Sequence, residues 1–138
     1  MGIMANSLKK NRDMTQEDKE LLLKDLCARL PYKMVVTDGV EDYVLTTPFL
    51  YRYIEMGCRP YLRPMSSMTE EERRYCYEHA ILFSCDINHN IYFDGFGNIS
   101  ADETIDGFDW LNAHHFDYRR LIEKGLAIEV TEENNPYK

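Results

Sequence analysis

No apolar run in this 138-residue chain approaches the roughly 20 residues that a bilayer-spanning helix needs, so no membrane span is expected. The start, MGIMANSLKKNR, lacks the continuous apolar core of an export signal. It opens Met-Gly, but Asn6 stands where a myristoylation signal carries Ser or Thr. Positive charge is scarce, since sixteen Lys and Arg face twenty-four Asp and Glu for a formal net charge of −8. So acidic a chain is a poor match for phosphate backbones or anionic lipid, and neither nucleic acid nor membrane is the expected partner. The deficit of bases is steepest from Asp86 onward, where eleven acids and four bases leave −7. Catalytic signatures are missing as well. There is no G-x-S-x-G elbow, no phosphate loop, no G-x-G-x-x-G after a strand and no H-E-x-x-H. Four cysteines and four histidines make a Cys–His dyad easy to draw on paper but single none out. No catalytic residue and no cofactor are assigned.

What is present suits one folded domain. Hydrophobic residues make up 44% of the chain, with ten Tyr, six Phe and one Trp, enough to fill a core without staples. A flexible arm is expected over residues 1–13, basic through Lys9, Lys10 and Arg12 and able to dock on the acidic C-terminal part. A globular domain follows over 14–132 and a flexible tail over 133–138. Cys27, Cys58, Cys76 and Cys85 are irregularly spaced, which fits free thiols in a reducing cytoplasm.

Local signals place the elements. Thr15, with Asp18 three residues on, caps a first helix whose Leu22, Leu23, Leu26, Cys27 and Leu30 fall on one face, and Pro31 stops it. Cys27 is expected to pack in the core. Met34–Thr37 and Val40–Thr46 flank Asp38-Gly39 as a hairpin. Thr47-Pro48 opens a short helix or buried irregular piece ending at Gly57. Cys58 to Met65 is extended because Pro60 and Pro64 bias the residues before them. Thr69 and Glu72 stand in capping-box register for a helix reaching about His79. ILFSCDI and NIYFDGFGNI read as strands around Asn88-His89-Asn90, with a further turn at Asp94-Gly95. A helix from about Thr104, a second one capped by Asp117 and stopped at Gly125, and an alternating strand Leu126–Val130 complete the chain. The fold class is α+β: a small antiparallel sheet with an N-terminal helix and a C-terminal helix-turn-helix-strand unit.

Several clusters invite chemistry. Cys76, His79, Cys85 and His89 are spaced C-x2-H-x5-C-x3-H, soft and borderline donors that could close a zinc site. Against this stand an unfamiliar ligand order and a domain large enough to fold without metal. Asp86, Asn88, Asn90 and Asp94 match four positions of a calcium loop. Ile91 and Gly97, however, occupy the places of its essential glycine and glutamate, and Asx turns explain the same letters. Arg59, Tyr61 and Arg63 form a ridge suited to an anionic partner or, more simply, to nearby acids. In the last third, helical phase puts His115 toward the core. Trp110 and His114 then share another face, which makes them the candidate partner-binding pair if exposed.

Three stretches carry a resemblance. Thr15–Tyr32, Arg59–Arg73 and Phe108–Val130 resemble a family of small uncharacterised proteins from gut anaerobic bacteria and their phages. The resemblance implies a mobile-element setting and transfers no functional residue. The expectation is a cytoplasmic, non-catalytic accessory protein that binds another protein, with a homo-oligomer also compatible. The alternatives are a zinc-binding module and a winged-helix-like DNA-binding regulator presenting Arg119, Arg120 and Lys124.

Overall fold

The computed structural model describes residues 13–138, so the expected N-terminal arm falls almost wholly outside the described residues. Helix α1 (Gln16–Arg29) starts as its letters require. The Thr15 side chain accepts from Asp18 N–H, and the Asp18 carboxylate accepts from Thr15 N–H, both at 3.0 Å. The face it buries is Leu22, Asp25, Leu26 and Arg29. That is helical spacing, but with two charged residues in the stripe, and Cys27 lies exposed instead of in the core. Asp25 and Arg29 pair with each other four residues apart, which is what allows both to leave water.

Strands β1 (Val35–Thr37) and β2 (Asp42–Val44) form the expected hairpin. The Asp38 carboxylate accepts from the amides of Val40 and Glu41, and Gly39 takes φ +100 in the turn. After a 3-10 turn opened by Pro48, helix α2 spans Leu50–Glu55. Strand β3 (Arg59–Leu62) is the extended segment between the prolines. Helix α3 (Glu70–Glu78) follows the Thr69–Glu72 capping box. Strands β4 (Ile81–Cys85) and β5 (Ile91–Phe96) pair antiparallel, with an irregularity between Ile81 and Phe83. Gly95 takes φ +97 inside β5, so Asp94-Gly95 belongs to a bulged strand and not to a chain reversal. Helix α4 (Ala101–Ala113) begins three residues before the expected Thr104. Ser100 and Glu103 form a third capping box there.

The fold class is α+β, with the strands in two sheets. One is four-stranded in the order β2-β1-β3-β6, and its last member, β6 (Ile128–Glu129), runs parallel to β3. The sheet is mixed because β3 and β6 are joined by a long crossover carrying α3, β4, β5 and α4, which lets β6 return in the same direction. The second sheet is the hairpin β4–β5 alone.

The expected helix from Asp117 is absent as such. His115 and Arg120 sit in the left-handed region at φ 62 and 59, and the Asp117 carboxylate reaches forward to Leu121 and Ile122 N–H. These groups build successive turns in place of a helix. Its predicted end survives. Leu126 N–H donates to Leu121 C=O and Gly125 N–H to Ile122 C=O, a Schellman closure with Gly125 at φ 75.

Two apolar clusters make the interior. Leu22, Leu26, Met34, Val36, Leu62, Leu121 and Leu126 are at the centre of the first. The second gathers Met65, Cys76, Leu111 and Phe116 under a fringe of rings that includes Phe93, Phe96 and Phe108.

Candidate functional site

The residues of the zinc pattern occupy different environments. Cys76 is buried with Sγ 3.7 Å from the Met68 sulfur, and burial, reinforced by Glu72, pushes its thiol up to about 11. His79 caps α3, its Nδ1 2.8 Å from the Tyr75 carbonyl. Cys85 is exposed on β4, and His89 sits in the hairpin turn at φ 64. Among the described residues, no three His, Cys, Asp or Glu side chains are placed to hold a metal ion. The calcium-like letters serve the hairpin turn. Asp86 Oδ1 accepts from the amides of Asn88 and Asn90, and Oδ2 lies 3.1 Å from Arg120 Nη2. The Asn90 amide, then that of Asn88 and the guanidinium, holds the Asp86 carboxyl below its usual range.

The arginine ridge is committed to its own chain. Arg59 is 2% exposed, and its Nη1 donates to the Gly57 carbonyl at 2.6 Å. Tyr61 donates to Asp42 at 3.0 Å. Arg63 grips Glu72 with two bonds of 2.9 and 2.7 Å and lies 4.2 Å over the Phe116 ring. Burial opposes the charge on Glu72, but Arg63 and the Thr69 amide outweigh it and keep the carboxyl low.

Trp110 is half-buried in a column of rings. It stacks on Tyr75 at 4.4 Å and lies tilted against His114 at 4.4 Å, and Tyr75 stacks on His79 at 3.8 Å. The two helix ends repeat one device. At the C-cap of α3 and again of α4, a histidine directs Nδ1 to the carbonyl four residues back and lays its ring on that residue's ring. His115 lies beyond the helix end and not on its inner face. It stacks on Tyr137 at 3.7 Å, and its buried Nδ1 has no hydrogen-bond partner among the described residues.

Arg63 and His114 meet at a surface depression of about 630 Å³, together with Ala113, His115, Asn135 and Tyr137. Its walls are chemically quiet. Burial, with Arg29, His114 and Arg63 adding, depresses His115 to about 4, so the ring is neutral and weakly basic at neutral pH. Burial raises the Tyr137 hydroxyl. The large shifts at Cys76, His115 and Tyr137 move each group toward its neutral form and not toward a nucleophile or general base.

A second feature lies on the hairpin. Each of β4 and β5 pairs only with the other among the described residues. Among the described residues, no backbone hydrogen bond from outside the hairpin reaches 81–85 or 91–96, so both strands keep an open edge. Leu82, Ile87 and Ile91 are 44%, 92% and 47% exposed. On the Phe83 face, Ile91 joins Met65, Met68, Arg73 and Cys85 in lining a largely apolar groove of about 280 Å³.

No family model, curated protein or solved structure matches the chain.

Of the five partner-binding residues expected from sequence, the structure brings Arg63 and His114 together and spends Arg59 and Tyr61 on internal bonds. The open-edged hairpin was not singled out. Its strands were readable, but whether a third strand would cover them was not, because pairing partners distant in sequence leave no local mark.

Proposed function

We propose that this protein is a non-catalytic accessory protein that acts by binding another protein. The observation that carries the reading is the hairpin β4–β5, which ends a sheet after two strands, exposes Leu82 and Ile87, and sets Ile91 in the wall of an apolar groove. Isolated two-stranded ribbons are marginal, and exposed edges with apolar side chains are where proteins add strands from partners. The inert protonation states of Cys76 and His115 agree with a binding role. Four free thiols suit the cytoplasm as its setting. The resemblance of three stretches to small proteins of gut anaerobes and their phages supports a mobile-element origin.

Affinity capture from native-host lysate tests the reading with wild-type protein beside Leu82→Lys and Ile91→Lys variants. Both positions are exposed, so the variants keep the circular dichroism of the parent. A partner captured by the wild type and lost from the variants supports the proposal. Recovery of no partner, together with salt-sensitive binding to duplex DNA, overturns it.

A further inference from the structure

We infer that the partner presents an extended, basic segment, which adds as a further strand to an open edge of the β4–β5 hairpin. This rests on the protein-binding reading above and narrows it to one surface and one chemistry. The first support is the unmade backbone bonding of the hairpin. Its outward N–H and C=O groups have no partner from elsewhere among the described residues, and a third strand satisfies one row of them.

The second support is charge. From Tyr75 to Tyr118 the sequence has eight acidic side chains and no lysine or arginine. That stretch holds both the hairpin and α4, which pack together through Phe93, Phe96 and Phe108. Asp94 on β5 and Asp102 and Asp106 on α4 are exposed. The guanidiniums that approach the hairpin come from outside the stretch; Arg120 is paired with acids, whereas Arg73 lines the groove and keeps its charge. Arg73 donates to the Met68 carbonyl, and Arg120 meets Asp86 and Glu123. A second copy of this chain, with net charge −8, meets like charge here, whereas a lysine- or arginine-bearing strand meets the opposite sign.

Strand periodicity completes the fit. Side chains alternate between faces, so a partner strand of alternating apolar and basic residues turns its apolar set toward the groove that Phe83 and Ile91 line. The basic set then falls on the side where Ser84 hydrogen-bonds Asp94.

The test titrates the full chain with three synthetic peptides and reads binding by amide chemical shifts and amide exchange. One peptide alternates Lys and Val, the second replaces Lys with Glu, and the third keeps the lysines but has a central proline. The first peptide is expected to bind, to lose about tenfold in affinity between low and physiological-plus salt, and to protect amides along one edge of 81–85 or 91–96. The variant Asp94→Asn is expected to bind it about threefold more weakly at unchanged circular dichroism. Equal binding of the proline peptide means charge alone is at work and overturns the inference. So does equal binding of the Glu peptide, protection outside the hairpin, or hairpin protection that grows with protein concentration in the absence of peptide. If native capture succeeds while no peptide binds, this inference falls and the protein-binding reading stands. If both fail, both fall.

Discussion

Asp25 and Arg29 are both 0% exposed, joined by bonds of 2.8 and 3.1 Å, and Arg29 also donates to the Phe116 carbonyl at 2.8 Å. Arg119 reaches Asp25 at 2.8 Å, and both arginines lie over the Tyr118 ring. A buried pair adds little against apolar replacements, but removing one member strands the other. Asp25→Leu is therefore expected to cost about 3–5 kcal/mol in urea unfolding, with Arg29 left buried among Phe116 and Tyr118. The pair leaves little trace in the sequence, because charged side chains are seldom fully buried unless paired. Their spacing with Leu22 and Leu26 was the available clue. His115 carries a pH dependence. Its folded-state value of about 4 lies below the ordinary 6.5, so the unfolded chain binds the proton first. The stabilisation is complete above about pH 6.5 and is lost as pH falls toward about 4, up to about 3 kcal/mol in all. Urea midpoints at pH 7 and pH 4.5, compared with those of His115→Gln, check it. A variant that loses stability as steeply as the wild type removes His115 as the cause.

The elements were most legible where a few neighbouring residues decide them. The capping boxes at Thr15 and Thr69, the Asp38-Gly39 turn and the Gly125 stop all rest on contacts within five residues. Ser100-Ala-Asp-Glu103 carried the same signature and places the start of α4 earlier than apolar phase alone suggests. Ser100→Ala should cost about 1 kcal/mol of stability, read from thermal unfolding. The helix expected at Asp117 failed for a non-local reason. Asp117 N–H donates to the Arg63 carbonyl, and Arg63 N–H to that of His115, so the chain is pinned to β3 just where a helix would begin. Arg120 is then drawn to Asp86, Glu123 and the Tyr92 ring. Gly107 is a further tertiary constraint inside α4, because a Cβ there would stand 2.4 Å from the Phe96 ring. Alanine normally favours a helix by about 1 kcal/mol over glycine. Here Gly107→Ala is expected to destabilise by about 1–3 kcal/mol instead, since Phe96 is wedged against Phe93 and Phe108. A measured gain in stability would show that the ring moves aside freely.

For the molecule as a whole, composition and periodicity gave the α+β class, while the partition into two sheets depended on distant pairings. The closing contact is the clearest case. Tyr137, in the segment expected as a tail, donates its hydroxyl to the Tyr61 carbonyl at 2.8 Å and accepts from Val35 N–H at 3.1 Å. It thereby bridges β1 and β3, and nothing around it in the sequence announces this. Tyr137→Phe removes both bonds and keeps the ring on His115, so a loss of about 1–3 kcal/mol is expected in chemical unfolding.

The ring column also has an optical consequence. Trp110 is the chain's one tryptophan, and it lies between Tyr75 of α3 and the imidazole that caps its own helix. Its emission therefore reports the separation of α3 from α4 with no label attached. Native light thus reads the contact of two helices in a single spectrum.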